Sequence, residues 1–128
     1  MNPTVSLGSG DHTFTLTVTD NNGAVNTDTV TISVNAPPVA NAGPDQALAL
    51  VGDDPTVRAT LDASGSTDSD GTIVKYIWTG VEATPVETTI PLMSLDLTPG
   101  THIFSLIVQD DDGALSLADE VTIVVTGP

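Results

Sequence analysis

The residues best equipped for chemistry in this 128-residue chain are aspartates in a polar loop, Asp62-Ala-Ser-Gly-Ser-Thr-Asp68-Ser-Asp70-Gly71. Carboxylates are hard oxygen donors, and Ca²⁺ collects about six to eight oxygens from carboxylates, carbonyls and water. Asp68-Ser-Asp70-Gly71 presents two carboxylates from one turn, with Gly71 permitting the bend. The spacing is not that of an EF-hand, because Thr79 stands where the closing glutamate belongs. A third carboxylate must come from elsewhere in the fold. Asp110, at a strand end before Asp-Asp-Gly, is the candidate. The competing reading is that these aspartates cap turns through local hydrogen bonds.

Catalysis finds no comparable support. His12 and His102 occupy equivalent inward positions near the start of two similar strands, where they cap the core, and no nucleophile–base motif or zinc-ligand spacing accompanies them. Ser64 lies in Ala-Ser-Gly-Ser, which is not a nucleophile elbow. Cysteine is absent, which excludes disulfides, thiol chemistry and Cys-based metal centres. No catalytic residue is assigned.

The bulk charge narrows the partners. Seventeen acidic residues against two basic ones give a formal net charge of -15, which repels phosphate backbones and anionic lipid and attracts divalent cations. Nucleic acid is therefore excluded as a partner, and solubility in a salty or surface environment is the plain reading of the acidity. No apolar run reaches the length of a membrane span, and Met1-Asn-Pro lacks the basic and apolar regions of a signal peptide.

The elements that must position the aspartates are strands. His12-Thr-Phe-Thr-Leu-Thr-Val-Thr alternates strictly, Asp20-Asn-Asn-Gly23 is a turn signal, and Thr27–Val34 returns with Val30, Ile32 and Val34 inward. A short strand is expected at Thr4–Leu7. After the Asn35-Ala-Pro-Pro38 linker, further strands are expected near Val39–Ala42, Gln46–Val51, Thr56–Leu61, Ile73–Thr79, Glu87–Pro91, Met93–Leu97, His102–Gln109 and Glu120–Val125. Many short strands separated by turn signals read as a sandwich.

An internal repeat organises the chain. Gly10-Asp-His-Thr-Phe-Thr-Leu-Thr-Val-Thr-Asp20 matches Gly100-Thr-His-Ile-Phe-Ser-Leu-Ile-Val-Gln-Asp110, and Val30-Thr-Ile matches Val121-Thr-Ile. Residues 38–92 have no earlier copy. The expected organisation is the C-terminal part of a repeat over residues 1–35, followed by one complete repeat over residues 36–128.

Pro37-Pro-Val-Ala-Asn-Ala-Gly-Pro-Asp-Gln46, Leu61-Asp-Ala-Ser-Gly-Ser-Thr-Asp-Ser-Asp-Gly-Thr-Ile73, Tyr76-Ile-Trp78 and Gly100–Gly113 together resemble the PKD (polycystic kidney disease) domain. The resemblance, to the bacterial tandem-repeat type, implies an immunoglobulin-like β-sandwich of the all-β class. The family often continues its Trp strand with Asp-Phe-Gly-Asp-Gly, whereas Thr-Gly-Val-Glu follows Trp78 here, so any role of that motif is lost. The resemblance further implies a non-catalytic module of secreted or cell-surface proteins, serving as a spacer or adhesive segment, or as an accessory carbohydrate- or protein-substrate-binding module beside an extracellular hydrolase. It also implies calcium ligands at Asp68, Asp70, Asp110 and Asn35.

Two surfaces complete the reading. Val74, Tyr76 and Trp78 are expected inward, with Trp78 a core residue rather than a sugar platform. Ile73, Ile77, Ile103, Ile107 and Val124 are then expected outward, as an apolar contact patch. The N-terminal part shows an apolar face with no opposing sheet of its own. It is expected to pack on that patch, in its own or another chain, or on a second copy of itself. Polysaccharide is the remaining partner class.

Overall fold

The computed structural model describes residues 2–127, and every regular element among them is a strand. The chain divides at Ala36/Pro37 into two compact units. The division falls at tandem prolines, which cannot donate to a ladder.

The first unit is a hairpin of β1 (Gly10–Thr19) and β2 (Val25–Val34), paired antiparallel with Phe14 opposite Val30 and His12 opposite Ile32. Residues 4–7 form no strand, contrary to expectation.

The second unit contains β3 (Gln46–Ala49), β4 (Val57–Asp62), β5 (Ile73–Thr79), β6 (Val86–Thr88), β7 (Leu92–Leu97), β8 (Gly100–Asp110) and β9 (Asp119–Thr126). A five-stranded sheet in the order β3-β9-β8-β5-β6 faces a two-stranded sheet of β4 and β7. Val39–Ala42 contributes only an isolated bridge, Val39 to Thr67, and the strand expected at Glu87–Pro91 is the shorter β6. Period-two alternation in β8 and β9 turns Phe104, Leu106, Val108, Val121, Ile123 and Val125 inward. They meet Leu61, Ala59 and Leu97 of the facing sheet, and Trp78 lies fully buried among them. Trp78 is thus core, as its place on a central strand of a sandwich requires.

β8 and β9 reproduce the geometry of β1 and β2. Phe104 pairs with Val121 and His102 with Ile123, the positions matching Phe14–Val30 and His12–Ile32. The turns agree as well: Asp20 Oδ1 accepts the amides of Asn22 and Ala24 at 2.8 and 2.9 Å, and Asp110 Oδ1 accepts those of Asp112 and Ala114 at 3.0 and 2.8 Å.

β5 leaves the sheet at Gly80, whose φ is 104° and where an added Cβ would lie 2.6 Å from the Ile103 carbonyl oxygen. Gly52 also has positive φ, 61°, but an added Cβ there meets open space. Gly80→Ala should therefore lower the stability of this unit by about 2 kcal/mol or more, and Gly52→Ala by about 1 kcal/mol. Urea unfolding followed by Trp78 fluorescence measures both, and equal losses would contradict the close approach at Gly80.

Candidate functional site

The acidic loop is held from two sides before its carboxylates are placed. Val39 and Thr67 exchange backbone hydrogen bonds of 2.7 and 3.0 Å, and the Asn41 amide donates to Ser66 Oγ at 2.9 Å. Asp62 Oδ1 accepts the Ser64 amide at 2.9 Å, and hydrogen bonds from the Ser64 side chain and backbone hold the Asp62 carboxyl below its ordinary range. Asp62 is thus a turn cap.

Asp68 and Asp70 follow this staple, and Asp68 lies beside the end of β8. The Asp68 Oδ1 atom accepts the Asp70 amide at 3.4 Å, while Asp68 Oδ2 is enclosed with no hydrogen-bond partner among the described residues. Loss of hydration pushes the Asp68 carboxyl above its ordinary value of 3.8; the Asp70 side chain and the charges of Asp70 and Asp110 add to the shift, while the hydrogen bond from the Asp70 amide opposes it. Asp110 is buried, and its Oδ1 serves the turn described above. Turn capping and proximity to Asp68 therefore coexist in Asp110.

Asp111 is the member that sequence reasoning missed. Its amide donates to the Thr72 carbonyl at 3.0 Å, and its Oδ1 accepts the Thr72 amide at 3.2 Å. A Cβ added to Gly71 would lie 2.5 Å from Asp111 Oδ1 and 2.8 Å from Asp68 Oδ2. Both carboxylates thus lean over Gly71, whose missing side chain leaves them room. The available signal was the placement of Gly71 beside the end of β8, which the repeat alignment does not show because the first copy has no such loop. Asn35 belongs to the other unit. Among the described residues, no three acidic or imidazole side chains are grouped so as to hold a metal ion as they stand.

The histidines are structural in position. His102 Nε2 hydrogen-bonds the Thr98 carbonyl at 2.8 Å and its ring stacks on Phe104, while His12 Nε2 makes the same 2.8 Å bond to Gly8.

The outward patch differs from its expectation in one residue. A bulge between Ile73 and Lys75 interrupts the β5–β8 register. It turns Ile73 toward the core, against which it packs, and leaves Val74 exposed instead of inward. Ile73 is therefore removed from the patch. Ile77 still pairs with Ile107, Ile103 is 56% exposed and Val124 39% exposed. An ion pair, Lys75 to Glu87 at 3.2 Å, borders this face.

This architecture, a sheet pair closed on a central-strand tryptophan, defines an immunoglobulin-like β-sandwich. A family profile described as "K319L-like, PKD domain" matches residues 42–125, and the chain belongs to that family. The mouse (Mus musculus) dyslexia-associated protein KIAA0319-like protein is 38% identical over 116 residues, a match covering 83% of this chain and 10% of that protein. The chain thus spans about a tenth of the length of that relative. The PKD1 domain of Vibrio anguillarum Epp is similar in structure, at TM-score 0.50 and 30% identity, covering 73% of this chain and 99% of that one. A structure described as explaining the promiscuous specificity of carbohydrate-binding modules of the β-sandwich superfamily matches at TM-score 0.56 and 31% identity, over 73% of this chain and 36% of that one.

The raised pKa of Asp68 has a defined consequence. Folding favours its protonated form, so its ionisation costs stability as pH rises through the raised value, and the cost vanishes below the unfolded value of about 3.9. Asp68→Asn keeps the Oδ1 acceptor and stays neutral. In EDTA its melting temperature should exceed that of the parent chain at pH 7, and the gap should close on acidification to about pH 3. A gap independent of pH would show that Asp68 carries no such cost.

Proposed function

We propose that this chain is a non-catalytic structural and interaction module of a secreted or cell-surface multi-repeat protein, acting as a spacer or adhesive segment. The observation that carries the reading is the parallel pairing of β3 with β9, Gln46 opposite Ile123 through Ala49 opposite Thr126. These are the first and last strands of the second unit. Tension applied along the chain therefore loads their ladder in shear, with its hydrogen bonds sharing the force. Carboxylates pin both strands at their roots: Asp119 Oδ2 accepts the Ala42 amide at 2.8 Å, and Asp45 Oδ1 accepts the Thr122 amide at 2.9 Å. The acidic surface suits such a module, since it opposes collapse of neighbouring repeats on one another.

The Leu50 amide donates to the Thr126 carbonyl at 3.0 Å and closes this ladder. Leu50→Pro deletes that donor, whereas Leu50→Ala removes similar packing and keeps it. In single-molecule pulling, Leu50→Pro should lower the unfolding force of the second unit well below that of Leu50→Ala. Equal forces in the two variants would remove the shear ladder as the mechanical element.

Calcium is a finer reading of the same module. Asp68 Oδ2, unpartnered and crowded by like charge, together with the Asp111 carboxylate over Gly71, supports a cation at this loop. Asp70 and Asp110 add their negative charge to the field at Asp68. Excess Ca²⁺ should then raise the melting temperature relative to EDTA, by an amount that grows with free Ca²⁺ and is lost in Asp68→Asn. Identical melting in Ca²⁺ and EDTA disposes of the site while leaving the spacer reading intact.

An accessory sugar-binding role is favoured by the likeness to carbohydrate-binding modules. Against it stands the burial of Trp78 and Phe104, which leaves the second unit without a bare aromatic platform of those rings. Retention on insoluble chitin or cellulose would restore that alternative.

A further inference from the structure

Three places in the chain set an Asn or Asp directly before a glycine: Asn22–Gly23, Asp70–Gly71 and Asp112–Gly113. In such a pair the glycine amide nitrogen is the least hindered nucleophile the backbone can offer to the preceding side-chain carbonyl carbon. All six residues are exposed, so access to water does not separate the pairs. Their backbones do. Gly23 donates to the Asp20 carbonyl and Gly113 to the Asp110 carbonyl, each at 3.1 Å. The amides on either side of these glycines, those of Asn22 and Ala24 and of Asp112 and Ala114, are fixed on Asp20 Oδ1 and Asp110 Oδ1. Both glycines sit at left-handed φ, 85° and 89°. The Asp70–Gly71 pair is not held in this way. Among the described residues the Gly71 amide donates to no acceptor, Gly71 lies outside the left-handed region, and the Asp70 amide reaches Asp68 Oδ1 only at 3.4 Å.

We propose that Asp70–Gly71 is a site of spontaneous covalent rearrangement, at which the Asp70 side chain closes on the Gly71 nitrogen and the chain reopens as isoaspartate. The Gly71 nitrogen attacks Cγ of the Asp70 carboxylic acid. A Cγ–N bond forms, the Cγ–OH bond breaks, and the hydroxyl leaves with the amide proton as water. Water then returns to the five-membered succinimide. Addition at Cγ restores aspartate, whereas addition at the α-carbonyl carbon breaks the original peptide bond and leaves the main chain running through Cβ. The net change is an isomerisation, with no oxidant or co-reactant. The product has one more methylene in the main chain and its carboxylate on Cα. Thr72 follows directly, with its amide and carbonyl clasped by Asp111 at 3.2 and 3.0 Å. With Thr72 held, the added length falls on the exposed residues 69–71, which shifts the loop that brings Asp68 to Asp111. At Gly23 and Gly113 the same reaction first requires the turn to open.

Trypsin cuts after Arg58 and Lys75, the one arginine and one lysine of the chain, giving peptides 1–58, 59–75 and 76–128 with one pair in each. The full chain is aged at neutral pH and physiological temperature, folded or in concentrated urea, and isoaspartate is located by electron-transfer fragmentation. EDTA throughout removes any dependence on calcium. In the folded chain isoaspartate at residue 70 should form at least about fivefold faster than at residue 112, the worth of roughly one net hydrogen bond. In urea, with that bond gone, the two rates should agree within about twofold. Asp70→Asn gives a second comparison inside one molecule, because deamidation releases ammonia and raises the peptide mass. Residue 70 of this variant should react at least about fivefold faster than Asn22 when folded, and within about twofold of it in urea. A folded-state ratio below about twofold in either comparison overturns the proposal. A ratio that persists in urea overturns it too, because the preference then belongs to neighbouring residues and not to the fold. So does silence at residue 70 of the folded chain over a period in which the urea-treated chain reacts.

Discussion

The pairing of β5 with β8 is the constraint on which the second unit depends. It sets Trp78 against Leu106 and Tyr76 against Val108, and β5 in turn carries β6 at the edge of the sheet. Complete burial of a tryptophan contributes a few kcal/mol of apolar transfer. Part of that is offset, because Trp78 Nε1 finds no acceptor among the described residues, an omission that costs about 1–3 kcal/mol. Geometry at the strand's two ends follows from this choice. At one end Gly80 lets the backbone pass close to the Ile103 carbonyl, and at the other a bulge lets the strand leave toward the acidic loop.

That bulge marks the boundary of what the sequence made legible. Strand alternation was readable wherever the chain keeps strict period two, as in β8 and β9, because each residue then declares its face. The repeat was readable for the same reason, and its turn aspartates proved to make the same hydrogen bonds in both copies. Ile73 was misplaced because an unpaired residue inverts the alternation behind it, and nothing in Ile-Val-Lys-Tyr distinguishes a bulged strand from a regular one. Thr4–Leu7 failed differently. Its counterpart β7 is a strand through pairing with β4, and residues 4–7 have no such partner in the first unit.

The candidate site divides along similar lines. Asp68 and Asp70 were legible as loop carboxylates, since residue type and a following glycine are local properties. Asp110 was legible through the repeat. Asp111 was not, because its place beside Gly71 depends on how the loop before β5 returns to the end of β8, a separation of about forty residues that no local pattern encodes. The outcome is a cluster with two characters. Asp62 and Asp110 spend carboxylate oxygens on turns, as the plain reading holds, whereas Asp68 Oδ2 is left with like-charged neighbours and no donor. A group so placed gains from any added positive charge, proton or metal ion, and the two are distinguished by pH and chelator.

The two copies of the hairpin share an inward pattern and differ outward. Their inward rows are nearly the same, Phe-Leu-Val in both. The outward rows differ: Thr13, Thr15 and Thr17 in β1 stand where Ile103, Ser105 and Ile107 stand in β8. In β1 the threonines keep strand propensity without adding apolar surface, and Thr13 Oγ1 bonds Thr31 Oγ1 across to β2 at 3.2 Å. In β8 the isoleucines find Ile77 on the adjacent strand, so their exposure is shared across a sheet rather than borne by one edge. Ile103, Ile107 and Ile77 thus make one apolar strip across β8 and β5 on the face away from the core.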